Sequence, residues 1–185
     1  RPVRSPSPAP VNLVVDIDEG PGFPIGTITV DGNQVLSDEE IASGFRHLDR
    51  RRLWTRPQPF RLSILREDRN ELTERYRGLG YAGARVTVDF NPAAIDFQQR
   101  TVQLRVDILE RKRVEVRFEG NEALDDGDLR DVITIFSRGS YVNVETRASE
   151  EAIAHLYRSK GHLFVKVSSR SDGSAPDVHR IAFVI

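Results

Sequence analysis

The 185-residue chain contains no cysteine, no excess of either charge and no long apolar run. Without cysteine, neither a disulfide framework nor a thiolate metal site can form. Lys and Arg number 27 against 28 for Asp and Glu, which argues against a dedicated nucleic-acid binder, because such proteins usually carry a strong basic excess. No apolar run approaches the roughly 18–20 residues that a membrane-spanning helix needs.

Catalytic and metal-binding motifs are also missing from the sequence. It has no G-x-S-x-G, P-loop or G-x-G-x-x-G pattern. Zinc ligands on a helix typically recur at i and i+4, and none of the 4 histidines (His47, His155, His162 and His179) has a partner at that spacing. We therefore expect no enzymatic activity, no bound metal and no cofactor.

Two stretches rich in carboxylates nevertheless resemble each other, DGNQVLSDEEIA at 31–42 and EGNEALDDGDLR at 119–130. A calcium loop of the EF-hand type needs Gly at its sixth position and Glu at its twelfth. Counting from Asp31, these positions hold Leu36 and Ala42, so the calcium pattern fails. The second stretch has no downstream Glu that would complete the loop.

Turns followed by helix caps explain the same residues. Gly32 and Asn33 suit a turn at the end of a strand, where positive φ is tolerated. Ser37 is expected to cap a helix, with Glu40 completing a capping box. Asp125 is expected to cap the corresponding helix, and Asp126 and Asp128 suit the positive end of its dipole.

The two stretches belong to an internal repeat. A shift of 88 positions carries Gly32-Asn33 onto Gly120-Asn121, and a shift of 81 carries Tyr76 onto Tyr157 and Gly80 onto Gly161. Upstream, VNLVVDIDE at 11–19 matches VQLRVDILE at 102–110. Each copy reads as strand, helix, helix, strand, strand, with period-2 apolar alternation in the strands and helical spacing between.

The predicted fold class is therefore α+β, with tandem β-α-α-β-β units that each pack two helices on a three-stranded mixed sheet. We assign residues 23–110 and 111–185 to two such units, the second truncated at its last strand. Residues 1–22 are assigned to a linker and the last strand, 11–19, of a preceding and mostly missing unit. We accordingly expect the chain to be part of a longer polypeptide.

The order of elements, together with VDGNQVL, VRFEGNEAL, RYRGLGYAGARVTV and LYRSKGHLFVKV, resembles the POTRA domain. Tandem POTRA domains look like the periplasmic arm of outer-membrane assembly and secretion barrels of the BamA/TamA type. The resemblance implies a periplasmic location in a Gram-negative bacterium and a covalently linked C-terminal membrane barrel. It implies unfolded outer-membrane protein precursors or accessory assembly proteins as partners, and no nucleic acid.

The resemblance also implies that the penultimate strand of each unit is an outer edge, open to strand addition by a polypeptide. The residues expected to bind peptide there are Arg85, Val86, Thr87 and Val88 in the first unit and Phe164, Val165, Lys166 and Val167 in the second. Alternation is expected to direct Leu163 and Val165 inward and Phe164 outward.

The loop at 46–61 is the most unusual stretch, with Arg50, Arg51, Arg52 and Arg56 around the single tryptophan, Trp54. Such a loop suits a peripheral contact with anionic lipid, nucleic acid or an acidic partner. In the other interpretation, Trp54 packs on the helices and the arginines stay solvated.

Two other functions are compatible with parts of this pattern. KH domains share the strand-helix-helix-strand core, but they grip RNA through a GXXG loop that is missing between the helices here. A rigid periplasmic spacer or protein-interaction module of a membrane-anchored scaffold, with no client binding of its own, would use the same fold and a short junction, LERKRVE at 109–115.

Overall fold

The computed structural model describes residues 15–18, 22–45, 59–137 and 143–185, except the side chains of 91–94. The elements of the first half are β1 (Ile25–Asp31), α1 (Asp38–Ser43), α2 (Leu62–Gly78), β2 (Arg85–Asp96) and β3 (Thr101–Leu109). Those of the second half are β4 (Arg113–Glu119), α3 (Asp126–Val132), α4 (Asn143–Ser159), β5 (Ser168–Asp172) and β6 (Val178–Val184). None of the helices in these ranges is long and apolar enough to cross a bilayer.

Each half folds around its own three-stranded sheet, with strand order β1-β3-β2 in the first and β4-β6-β5 in the second. The first strand pairs with the third in parallel, and the second pairs with the third antiparallel, in both halves. The parallel connection spans both helices, as a parallel pair requires. The predicted α+β fold of tandem β-α-α-β-β units is confirmed.

Each sheet packs one face against its helices. In β3, Val102, Leu104, Val106 and Ile108 alternate with exposed or half-buried neighbours and are at most 6% exposed. Ile41, Leu65, Leu72 and Tyr76 of α1 and α2 cover them. Burial of one such side chain contributes roughly 1.5–3 kcal/mol, so this stripe holds the layers together. In the second unit, Leu129, Ile153 and Tyr157 of α3 and α4 pack in the corresponding core.

Apolar alternation predicts Leu163 inside, but it is 66% exposed. Leu62 and Leu79, at the first residue and the C-cap of α2, are 52% and 41% exposed. Residues 15–18, the described part of the predicted strand 11–19, form no strand, because none of the described strands pairs with them.

Both Gly-Asn turns require their glycines. Gly32 and Gly120 have φ of +83° and +84°, and a Cβ on either would collide with a main-chain carbonyl, of Ile108 and Ile185 respectively. Left-handed backbone is costly for residues with a Cβ, and the close carbonyl adds a second obstacle. The same backbone path therefore ends the first strand of both units.

The two units contact each other directly. The Val114 N–H at the start of β4 donates to the Gly80 carbonyl at 2.8 Å. Ala82, which follows α2 of the first unit, is fully buried in the core of the second. The Arg77 guanidinium also reaches the Ser137 carbonyl, at 3.4 Å. A backbone hydrogen bond and a shared core residue thus join the units.

Candidate polypeptide-binding edges

The first predicted edge, Arg85–Val88, lies on β2, which is an edge strand as expected. Its side chains alternate: Arg85 and Thr87 are exposed, Val86 is 7% exposed, and Val88 packs partly against the core. The strand therefore has one face on the helices and the other toward solvent.

The direction of the backbone groups in β2 follows from its neighbour β3. The Val102 N–H donates to the Pro24 carbonyl at 2.8 Å, on the β1 side, and the Ile108 carbonyl approaches Gly32 on that same side. Because backbone groups alternate along a strand, even-numbered residues of β3 direct theirs to β1 and odd-numbered residues direct theirs to β2.

In β2, the residues that face odd-numbered partners must then be the ones bonded to β3. Thr87 pairs with Asp107, and Arg85 and Asp89 likewise face odd-numbered residues. The backbone N–H and C=O groups of Val86, Val88 and Phe90 consequently point away from the sheet. They form a regular row of donors and acceptors at the outer edge.

This open row ends at Phe90. The register with β3 shifts between Phe90 and Ile95, so that residues 91–94 form an irregularity. Pro92 within it has no N–H to donate. Bulges and prolines protect strand edges from uncontrolled pairing. The part of β2 suited to strand addition is therefore Arg85–Phe90.

The second predicted edge requires a correction. Phe164, Val165, Lys166 and Val167 precede β5, which begins at Ser168. The turn after α4 extends further than alternation indicated, and the Val165 N–H donates back to the His162 carbonyl at 3.3 Å. Val165 and Val167 pack against the core, whereas Phe164 is 94% exposed.

The edge strand of the second unit is β5 itself. The Ile185 N–H donates to the Glu119 carbonyl at 2.9 Å, so odd-numbered residues of β6 face β4. By the argument used for β2, the backbone groups of Ser169 and Ser171 point outward. Their hydroxyls are already engaged, with Glu150 at 2.6 Å and His179 at 2.7 Å.

Sequence reasoning placed the edge too early, at 164–167, because the apolar alternation lies there, whereas SSRSD of β5 has none. The repeat itself carried the signal, since a shift of 81 places Thr87 on Ser168 and Phe90 on Ser171. Sequence reasoning also did not predict that the outer edge of β4 is hydrogen-bonded within the chain. At that edge, the Gly80 carbonyl accepts from the Val114 N–H, and the Arg130 guanidinium donates to the Val116 carbonyl at 3.2 Å.

The carboxylates of the two Gly-Asn stretches are used within the fold. Ser37 accepts from the Glu40 N–H, and the Glu40 carboxylate accepts from the Ser37 N–H, which forms the predicted capping box. Asp125 caps α3 through the Asp128 N–H at 2.9 Å. Asn33 and Asn121 donate to Asp38 and Asp126, the first residues of the two helices. Within the described ranges, no group of three or more His, Asp or Glu is placed to hold a metal.

The predicted partner or lipid loop, with Arg50, Arg51, Arg52, Trp54 and Arg56, lies outside the described residues. Its two interpretations therefore stay predictions.

Comparison with known proteins identifies the family. The family model POTRA, surface antigen variable number repeat, matches residues 23–111 and again 114–185. Solved structures with a similar fold include Haemophilus influenzae BamA POTRA3-5, at 19% identity over 88% of this chain and 61% of that one, with a TM-score of 0.42. BamA from Haemophilus ducreyi lacking POTRA domains 1-3 is 21% identical over 88% of this chain and 29% of that one, with a TM-score of 0.42.

CdiB from Escherichia coli is 18% identical over 90% of this chain and 28% of that one, with a TM-score of 0.39. This chain thus spans less than two thirds of each of these structures. A search of curated proteins finds no match. Because the family model matches most of the sequence in two successive segments, the chain belongs to the POTRA family and carries two tandem copies of its domain.

Proposed function

We propose that the chain is the periplasmic arm of an outer-membrane protein assembly or secretion barrel, and that it binds extended polypeptides by strand addition to β2 and β5. The observation that carries this proposal is the row of outward backbone groups at Val86, Val88 and Phe90. None of the described strands pairs with that row. Membership of the POTRA family supports the location and the barrel linkage.

Strand addition explains how one surface accepts many clients. Backbone hydrogen bonds supply the affinity, and these do not depend on the client's sequence. An added strand would place alternate side chains over the helix face and over the solvent face of the sheet. Clients with alternating apolar and polar residues fit best, and this is the pattern of outer-membrane barrel strands. Unfolded barrel precursors and accessory subunits are the proposed partners, and the arm acts as a scaffold, without catalysis.

The substitution Val88→Pro tests this directly. It removes an outward N–H while leaving the odd-numbered ladder to β3 intact. We expect a peptide with alternating Val and Thr to bind at least about tenfold more weakly at this edge, because a central hydrogen bond of the added strand is lost. The measurement is an NMR titration that follows the amides of 85–90 and 168–171 separately.

Val88→Thr is the matched control, because it keeps the N–H and the β-branched shape. Ser171→Pro makes the corresponding change at the second edge. Circular dichroism melts establish that each variant is folded. If folded Val88→Pro binds the peptide as tightly as the parent at residues 85–90, strand addition at β2 is wrong.

The second candidate function is a rigid spacer that only sets the angle between a barrel and its partner. Burial of Ala82 in the neighbouring core favours this role, because it fixes one unit on the other. A spacer predicts a single inter-unit angle by small-angle scattering and no peptide-induced amide shifts at either edge. Peptide-induced shifts at 85–90 would reject the spacer as the whole function.

A further inference from the structure

A cleft lies between the two units, where the outer edge of β4 faces the end of α2. Its volume is about 950 Å³, within the range of ligand-binding clefts. The walls carry four guanidinium groups, from Arg77, Arg113, Arg117 and Arg130, together with three carboxylates. None of the lining residues belongs to β2 or β5. The cleft is therefore separate from the edges proposed for strand addition.

The cleft has more guanidinium than carboxylate groups available to a ligand. Two of its three carboxylates are already paired, Glu74 with Arg77 and Glu115 with Arg180, which lies outside the cleft. Among the residues that the structure describes, Arg113 and Arg117 have no ion pair. Asp131 is the remaining carboxylate of the lining. An excess of guanidinium in a cleft attracts anionic groups, and arginine binds carboxylates through two parallel hydrogen bonds.

Arg77 and Arg130 extend this positive surface to both walls. The Arg130 guanidinium donates to the Val116 carbonyl at 3.2 Å and lies 5.9 Å from the centre of the Phe118 ring. The Arg77 guanidinium reaches the Ser137 carbonyl at 3.4 Å, and its Nε–H is buried with no acceptor among the described residues. A buried donor without an acceptor is costly. A carboxylate in the cleft would give Arg77 the acceptor that the chain does not supply.

The outer edge of β4 adds backbone groups to the same wall. The Arg113 N–H donates to the Asp177 carbonyl at 2.9 Å, so odd-numbered residues of β4 direct their backbone groups toward β6. Even-numbered residues therefore direct theirs outward. Two of these outward groups, the Val114 N–H and the Val116 carbonyl, are bonded within the chain. The Val114 carbonyl and the Val116 N–H have no strand partner in the described ranges.

This combination of groups fits an acidic peptide better than a phosphate. A peptide backbone supplies an N–H for the Val114 carbonyl and a carbonyl for the Val116 N–H, while Asp or Glu side chains supply carboxylates. A phosphate group offers mainly acceptor oxygens, so it leaves the Val114 carbonyl unpaired. Leu79 and Phe136 also line the cleft and can contact aliphatic parts of a peptide. Because two outward positions of β4 are already bonded, a short segment fits and a long added strand does not.

We propose that the cleft binds a short acidic segment of a partner polypeptide. Carboxylates of the segment pair with Arg113 and Arg117, and its backbone bonds to the free groups of Val114 and Val116. Arg77 belongs to the first unit and the other three arginines to the second, so a bound segment bridges the two units. The cleft selects its partner by charge, and this proposal does not depend on strand addition at β2 or β5.

An NMR titration of the 185-residue chain tests the proposal. The probe is a short peptide of alternating Glu and Gly, whose glycines disfavour strand formation, and the same peptide with Gln in place of Glu is the neutral control. We expect the Glu peptide to shift the Val116 amide and the Arg77 Nε–H. It should bind at least roughly tenfold more tightly than the Gln peptide, because charge-assisted hydrogen bonds are about twice as strong as neutral ones.

Two substitutions remove single guanidinium groups from the cleft. Arg113→Gln and Arg117→Gln should each weaken binding of the Glu peptide by roughly five- to tenfold. Arg147→Gln, at an exposed position in α4, makes the same change in net charge away from the cleft and should alter the affinity by less than about twofold. Circular dichroism melts establish that the variants are folded. Arg117 is exposed, so its variant provides the test even if Arg113→Gln, beside Gly80, disturbs the junction.

Three results would overturn the proposal. Equal weakening by Arg117→Gln and Arg147→Gln would show general attraction to a charged surface. Equal binding of the Glu and Gln peptides, or shifts confined to residues 85–90 and 168–171, would show that the cleft does not recognise carboxylates. Inorganic phosphate is the last probe. If it shifts the Val116 amide at lower concentration than the Glu peptide does, the cleft is a phosphate site and the acidic segment is the wrong occupant.

Discussion

At the scale of single residues, glycines fix the path of the chain where the strand of each unit turns into its first helix. Replacement of Gly120 by Ala forces a Cβ into left-handed backbone and toward the Ile185 carbonyl. The left-handed conformation alone costs about 1–2 kcal/mol, and the collision adds to it. We therefore expect Gly120→Ala to lower the free energy of unfolding by more than about 2 kcal/mol, measured by urea denaturation.

Gly78→Ala is the matched control. Gly78 is the last residue of α2, and a Cβ there would meet nothing within 4 Å. Ala is preferred to Gly in a helix by about 0.5–1 kcal/mol. Gly78→Ala should leave the free energy of unfolding unchanged or raise it. A loss of similar size for both substitutions would show that neither φ nor the carbonyl is the cause.

The protonation state of His179, which contacts the edge strand β5, is expected to affect the stability of the fold. Burial lowers the pKa of His179, the nearby Lys112 ammonium lowers it further, and Asp172 opposes them. The His179 ring contacts Ser171 on β5, and Lys112 is held by the carbonyls of Gly173 and Ala175, each at 2.8 Å. The folded state therefore favours the neutral imidazole.

Since the folded pKa lies below the unfolded one, the unfolded state binds more protons between the two. The free energy of unfolding should then be greatest above the ordinary histidine pKa of about 6.5 and fall as the pH decreases below it. His179→Gln should remove this part of the slope, which is read as the difference between the two proteins in urea titrations from pH 8 to 5. Parallel curves over that range would contradict the assignment.

At the scale of elements, the sequence predicted most of the fold because each element has its own periodic pattern. The repeat located both Gly-Asn turns, Ser37 and Asp125 were identified as caps, and β2 was placed at an edge. The start of β5 was missed because Leu163, Val165 and Val167 alternate as a strand does, although the turn after α4 continues through them. Only pairing with β6 determines where the strand begins, and pairing is not a local property of the sequence.

The sequence predicted which strand forms the candidate site, but not which backbone atoms are available on it. Alternation indicated that the side chains of Arg85 and Thr87 face solvent, but it does not determine which backbone groups point outward. That direction depends on the register with β3, fixed here by the Val102 and Ile108 contacts to the β1 side. Long-range register, and not side-chain pattern, therefore defines the row at Val86, Val88 and Phe90.

At the scale of the whole molecule, the turn after the long helix occurs in both units, but its surroundings differ. The turn of the first unit packs against the second unit, and the turn of the second unit is exposed. Ala82 and Leu163 occupy equivalent positions, but the first is fully buried in the neighbouring unit and the second is 66% exposed. A Glu at position 82 would place a charge in an apolar core, whereas a Glu at position 163 stays in water. Comparison of the two Glu substitutions therefore measures the energetic coupling between the units.

We expect Ala82→Glu to lower the free energy of unfolding of the second unit by about 3 kcal/mol or more, and Leu163→Glu to change it by less than about 0.5 kcal/mol. Urea denaturation with amide hydrogen exchange resolves the two units. Exchange should accelerate at the Val114 amide in the Ala82 variant alone, because its bond to Gly80 opens when the units separate. If the two variants unfold alike, Ala82 does not couple the units.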